Sequence, residues 1–140
     1  MTKNYEIVLN YIKDLSVEIP DAETFLVSRE NITKYTLGLN ISTNPIKDQT
    51  IEVITNLNYK DKSENKKKSY FEISYATVIK LKNKEIKKDE LERIILCDLQ
   101  NEIYPDLEKL FLKILHGSGY DGLEFNKKVD FEELYKNNRN

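Results

Sequence analysis

The sequence predicts an α+β domain: a four-stranded antiparallel meander sheet, then a long helix kinked or broken near Pro105, then a short C-terminal helix. Three observations carry this. Apolar and polar residues alternate through four successive segments between about residues 5 and 82, the period of half-buried strands. From about residue 86 to 138 the apolar spacing becomes helical. The links between most of the alternating segments are short and rich in turn residues, which favours antiparallel neighbours. A chain of 140 residues is read as one domain over 1–140, long enough to bury a core.

The first strand runs from Tyr5 to Ile19. Tyr5, Ile7, Leu9, Tyr11, Leu15, Val17 and Ile19 take an odd, buried face. Glu6, Asn10, Asp14, Ser16 and Glu18 take the even, wet face, with Val8 and Ile12 as exceptions. Tyr5, Val8, Leu9 and Ile12 also fall at helical spacing, so a helix at the start stays open. Pro20 stops the strand because it has no N–H for a ladder. Residues 20–30 form a crossover with an apolar knot at Phe25-Leu26-Val27. A second strand spans about Ile32–Thr43, and Asn44-Pro45 with Lys47-Asp48 marks a turn. The third strand covers about Thr50–Tyr59, residues 60–68 (KDKSENKKK) form a solvated hairpin loop, and the fourth covers about Ser69–Leu81.

Leu91, Ile95, Leu99, Ile103, Leu107, Phe111 and Ile114 then recur at helical spacing, with Asp89 as the expected N-cap. Pro105 inside this pattern predicts a kink or break just before it. His116-Gly117 reads as the helix stop, with glycine supplying the left-handed conformation. Residues 117–122 form a link, and Asp130–Asn137 a short capped helix with Phe131, Leu134 and Tyr135 inward.

Hydrophobic residues at 39% and charged residues at 33% fit a globular chain. The formal charge of −2 gives no global field for nucleic acid. The charge is uneven, however. Residues 60–88 hold ten lysines against Asp61, Glu64, Glu72 and Glu85, a local +6, which leaves about −8 elsewhere. Such lysines keep a surface soluble or meet an acidic partner. Cys97 is alone among Ile94, Ile95, Leu96 and Leu99, which predicts a buried, inert thiol. No secretory signal or membrane-length apolar run is read, so the expected location is cytoplasmic.

No catalytic set assembles. His116 is the only histidine, and Gly117-Ser118-Gly119 follows a helix where a phosphate cradle would open one. The expectation is a non-enzyme with no metal and no cofactor. The apolar surface exceeds what one sheet and one helical layer clearly need, which points to oligomerisation, an apolar client groove, or both.

Four motifs carry a family resemblance. The opening strand YIKDLSVEIPDA is similar to the first strand of the SecB export chaperones. SYFEISYATVIKL resembles their strand with a central glutamate among apolar residues. Tyr104-Pro105 matches an aromatic-proline step in their long helix, and VDFEELY (129–135) resembles their terminal Asn-Phe-Asp-Ala-Leu-Tyr motif. The four occur in family order over most of the chain.

The resemblance implies a SecB-like sheet paired across a dimer, and a homotetramer built as a dimer of dimers stacked through the long helices. It implies an ATP-independent holdase that binds unfolded preproteins and delivers them to the SecA motor. SecA's zinc-binding tail would dock on Asp14, Glu18, Tyr70 and Glu72. Phe71, Ile73 and Tyr75 match the oligomer interface, and Phe25, Leu26, Tyr104 and Phe111 would line the client groove. No nucleic acid and no direct membrane insertion are implied. Departures are the lysine-rich loop, Ser74-Tyr75-Ala76-Thr77 in place of a glycine-rich segment, and Asp106-Leu107-Glu108-Lys109 in place of Tyr-Ala-Arg-Glu. They bear on SecA docking more than on the fold. Two alternatives remain: a SecB-like chaperone dedicated to the antitoxin of a toxin–antitoxin system, and an oligomeric scaffold or nucleic-acid-binding module without holdase activity.

Overall fold

Strands β1 (Tyr5–Glu18), β2 (Thr36–Pro45), β3 (Thr50–Lys60) and β4 (Tyr70–Leu81) form one antiparallel sheet. They belong to a computed structural model that describes residues 3–63 and 67–139. The expected loop at 60–68 falls partly outside these residues, because 64–66 are not among them.

The strand order is β1-β4-β3-β2. The meander therefore covers β2, β3 and β4, and β1 lies beside β4 where simple succession would place it beside β2. The reason is the long link from β1 to β2, which lets the chain return to the far edge as in a Greek key. That link is a helix, α1 (Ala22–Asn31), where the sequence pattern predicts only an apolar knot. Its signal is present in the sequence: the Asp21 carboxylate accepts from the Thr24 N–H at 2.7 Å, an N-cap just after Pro20.

The start of β1 is strand, which closes the helical alternative. Its alternation is not continuous, however. Register shifts fall between Ile7 and Leu9 and between Ile12 and Asp14. Each bulge adds one residue and inverts the parity of the residues beyond it. Leu9 and Tyr11 pair with Val78 and Ala76 and so lie on the outer face, whereas Ile12 pairs with Tyr75 on the helix-facing side. This corrects the single odd and even division of the strand. It also explains the two exceptions: Val8 is a bulge residue and Ile12 lies in the inverted stretch.

The odd residues of β3 and β4 face a helical layer. That layer is α2 (Lys88–Arg93), a π-helical turn (Ile94–Asp98) and α3 (Leu99–Gly117). Leu57, Phe71, Ile73, Leu107, Phe111 and Leu115 are fully buried between sheet and helix. Val53, Ile79 and Leu99 form a second cluster with Ile94 and Tyr5.

α2 starts at Lys88, so Asp89 lies in its first turn beside Glu90, where the helix dipole favours acids. Pro105 does not break α3, which continues to Gly117. Its missing N–H frees only the Asn101 carbonyl, and both residues are exposed, so water can take that acceptor. The irregularity lies about two to three turns earlier, in the π-helical turn. At the end of α3, Gly119 and not Gly117 has a positive φ, of 110°. A Cβ there would stand 2.7 Å from the Phe25 ring, so both conformation and space call for glycine. His116 Nε2 lies 2.8 Å from the Leu123 carbonyl oxygen, which ties down the following link. α4 (Phe131–Arg139) closes the fold, with its Glu133 N–H capped by Asp130 at 3.1 Å as expected.

Cys97 is buried, and burial pushes its thiol up to about 11, with the neighbouring Glu132 carboxylate adding to the shift. Such a shift disfavours the reactive thiolate, and the burial is what its apolar surroundings predict. Among the described residues, no helix is long and apolar enough to cross a membrane.

Candidate functional site

Two surfaces stand out: a groove under the free edge of β2, and the outer face of the sheet. Leu37, Leu39 and Ile41 project from β2 to the helix-facing side, paired with Tyr59, Leu57 and Thr55. No described strand lies beyond them. Opposite run the 124–130 segment and α4. They enclose a cavity of about 730 Å³ lined by Tyr35, Leu37, Tyr59, Phe125, Val129 and Leu134. A second cavity of about 310 Å³ follows along the same edge, against Leu39, Ile41, Leu96, Phe131 and Tyr135. Leu134 borders both and is 44% exposed. Glu124, Lys127, Lys128 and Glu133 supply a charged rim.

The walls are fixed by specific contacts. The Tyr35 and Tyr59 rings lie 5.5 Å apart, Phe125 lies 5.2 Å from Tyr59, and the Tyr59 hydroxyl donates to the Ile32 carbonyl at 2.6 Å. α4 is clamped to the helical layer by a two-pronged bond from Arg93 to Glu132, both 3.0 Å. The Cys97 thiol donates to the same carboxylate at 3.0 Å. The Arg93 guanidinium, and after it the Cys97 thiol, hold the Glu132 carboxyl below its ordinary value.

The four residues expected to line a client groove lie away from these two cavities. Phe111 is 0% exposed and Tyr104 is also buried, both in the interior of α3. Phe25 is half-buried against Tyr120, at 5.3 Å between rings, and Leu26 is 63% exposed on α1. None of the four lines either cavity. The aromatic and aliphatic spacing of α3 marks an interior stripe, and the two cavities are lined mainly by β2 and the C-terminal segment. Their signals in the sequence are Leu37, Leu39 and Ile41 on one strand face and the inward residues of VDFEELY.

A second correction concerns Phe71 and Ile73, which are 0% exposed within the single chain. They are interior residues and present no surface to a partner; Tyr75 beside them is only half-buried. Most of the exposed large apolar groups are on β1, where Leu9, Ile12, Leu15 and Val17 each stand 40–48% exposed. The helical layer covers Tyr5 at the start of β1 and leaves the later part bare.

The outer face brings the four expected acidic-face residues together. Glu18 pairs with Tyr70, Ser16 with Glu72 and Asp14 with Ser74, so all four project on the side away from α3. The Tyr70 hydroxyl donates to Glu72 at 2.6 Å, and that hydrogen bond, with burial, pushes the phenol up to about 12. Asp14 and Glu18 are exposed, with Lys60 of β3 across from Tyr70.

Sequence pattern gives no sign of Glu52 on the same face. Its carboxylate accepts from the Tyr11 hydroxyl, from Lys13 Nζ at 2.9 Å and from Asn44 Nδ2 at 3.0 Å, joining β1, β3 and β2. Lys13 is the residue inserted by the second bulge. These three donors, Tyr11 first, hold the Glu52 carboxyl down at about 2. A depressed carboxylate stabilises the fold above its unfolded value of about 4.3 and loses that contribution as pH falls towards 2. Glu52→Gln is therefore expected to lower the urea midpoint at pH 7, with the gap to wild type closing below about pH 4. A gap of equal size at pH 7 and pH 2.5 would show that the charge on Glu52 is not what matters.

The same fold recurs in a solved structure. A Mycobacterium tuberculosis SecB-like chaperone, in complex with a peptide from an antitoxin, superposes with a TM-score of 0.64. The match covers 89% of this chain and 91% of that one at 10% identity, so it speaks for the fold. The SecB family model, described as preprotein translocase subunit SecB, matches residues 1–140. The chain belongs to the SecB family.

A Pelagibacter ubique relative, provisionally described as a protein-export protein SecB, is 49% identical over the full length of both chains. The SecB proteins of Bartonella bacilliformis and Bradyrhizobium diazoefficiens are 24% and 25% identical. Each match covers 94% of this chain, and 81% and 80% of the relatives respectively. SecB membership makes this a chaperone of protein export, which fits the expectation of a non-enzyme.

Proposed function

We propose that this SecB protein is an ATP-independent holdase for unfolded preproteins, with the groove under the β2 edge as its client site. The groove is the observation that carries the reading. Its apolar floor is wide enough for side chains of an extended segment, and the free β2 edge offers main-chain hydrogen bonds to it. Burial at about 25 cal/mol per Å² is sequence-tolerant, which suits diverse clients. Supporting this, the Mycobacterium tuberculosis relative in fold carries a bound peptide.

Several weak sites become strong together when copies assemble. The reading therefore includes a homotetramer built as a dimer of dimers. The bare stretch of β1 suits the first contact: it is a sheet edge, and Ile12, Leu15 and Val17 need cover. Clients are then handed to SecA in the cytoplasm, whose zinc-binding tail meets Asp14, Glu18, Tyr70 and Glu72.

The test of holding is aggregation of a denatured client, followed by light scattering without nucleotide. Suppression at stoichiometric tetramer is expected, and unimpeded aggregation would sink the holdase reading. For docking, Asp14→Lys/Glu18→Lys is expected to weaken binding of a zinc-loaded SecA tail peptide at least about tenfold, roughly 1.4 kcal/mol. Calorimetry giving wild-type affinity for the variant would move the docking site elsewhere.

A further inference from the structure

A buried amide grips the π-helical turn that leads into α3. Gln100 at the start of α3 and Thr55 on the helix-facing side of β3 are both 0% exposed. The Thr55 hydroxyl lies 3.1 Å from Gln100 Nε2 and 3.2 Å from Gln100 Oε1. Gln100 Nε2 also donates to the Ile95 carbonyl, at 3.3 Å, inside the turn. The Leu99 N–H reaches back five residues to the Ile94 carbonyl, the π pattern. Such a turn takes in one residue more than an α turn, so a carbonyl where it rejoins the regular helix loses its ordinary backbone donor. The Gln100 side chain supplies a donor at that place.

Burying an amide costs free energy unless it is bonded, and an apolar side chain of similar size would fill the same space. Packing alone therefore gives no reason for glutamine in a stripe it shares with the buried Leu99 and Ile103. What the turn does set is the phase of the helix before it. One residue of helix is about 100° of rotation and about 1.5 Å of rise. Groups that seat α4 lie on that side of Gln100. Arg93 bonds Glu132 and stands 5.6 Å from the Tyr135 ring, and Cys97 bonds the same carboxylate. Leu96 lines the second cavity together with Phe131, Leu134 and Tyr135 of α4. Wound as plain α-helix, the same residues would carry Arg93 away from Glu132 by about 100°.

We propose that Gln100 is a positioning residue for the client groove. With Thr55 it keeps the π turn wound, and through Arg93, Leu96 and Cys97 it fixes α4 as a wall of the groove. A satisfied polar pair in a core selects one arrangement among several that packing would accept. This inference rests on the groove reading above. It adds a residue that is sealed from any client and acts on the groove through the helix beside it.

The experiment compares three full-length variants by urea unfolding, by hydrogen exchange of the α4 amides and by anisotropy with a labelled apolar peptide. Gln100→Leu/Thr55→Val removes both polar partners together, so its urea midpoint is expected to stay near wild type. The Ile95 carbonyl then regains a backbone donor by rewinding the turn as α-helix. α4 is expected to exchange at least about tenfold faster, and the peptide to bind at least about tenfold more weakly. Gln100→Leu alone is expected to show the same two changes with a lower midpoint, because the Thr55 hydroxyl loses its partner. Thr55→Val alone keeps the bond to Ile95, so its midpoint falls while α4 exchange and peptide affinity stay at wild type. Wild-type α4 exchange in the folded double variant would overturn the proposal. So would Thr55→Val speeding α4 as much as Gln100→Leu, since exchange would then merely follow stability. If the double variant does not fold, the contrast between the two single variants decides. Fast α4 exchange with wild-type peptide affinity leaves Gln100 as the residue that seats α4 and counts against the groove reading.

Discussion

Phe111→Ala is expected to cost about 3–5 kcal/mol of folding stability, the range for removing a large ring from a closed core. Phe111 is 0% exposed, packs in the main cluster with Leu57 and Leu107, and lies 6.1 Å from the Phe125 ring. Against a typical total of about 5–15 kcal/mol, such a loss leaves a marginal protein. Urea unfolding measures it. Client binding should fall only in step with the folded fraction. The opposite pattern, wild-type stability with weakened binding, would return Phe111 to the groove lining. Leu26→Ala is the contrast: at 63% exposed it should change stability by no more than about 0.5 kcal/mol.

The second large effect is on binding. Leu134 borders both cavities, and Leu37 stands on the β2 wall. Each would bury apolar area against a client, and burying one leucine contributes about 1.5–3 kcal/mol. Leu37→Ser/Leu134→Ser is therefore expected to weaken an apolar peptide by roughly a hundredfold. Because Leu134 is exposed and Leu37 half-buried in the free chain, stability should fall far less than in Phe111→Ala. Fluorescence anisotropy with a labelled peptide reads the affinity. Unchanged affinity in a folded double variant would place clients outside this groove.

These two predictions separate residues that look alike in the sequence. Phe111 and Leu134 both belong to helical apolar stripes, yet one is sealed beneath the sheet and the other borders open space. Periodicity tells which way a side chain points within its own element. It does not tell whether another element covers that direction. The same limit explains Phe71 and Ile73, whose strand face is correct and whose cover is the chain's own helix.

Several elements are legible because their signals are local. Strands β2, β3 and β4 follow from alternation, α4 from Asp130 and its apolar spacing, and the buried Cys97 from its apolar neighbours. The four acidic-face residues share one side, because past the second bulge the even positions of β1 run in phase with those of β4. The cap of α1 is equally local, but the apolar run Phe25-Leu26-Val27 masks the helix that Asp21 begins.

By itself the sequence determined the α+β class, the succession of four strands and then helices and, through four motifs in family order, the SecB family. These depend on the period of the chain and on short-range chemistry, which neighbouring residues carry. The placement of β1 beside β4, its two bulges, the Glu52 clamp and the β2 groove were decided only in the tertiary structure. Each joins residues far apart along the chain, and an edge strand can pair, bulge or stay bare without altering its own alternation enough to reveal which.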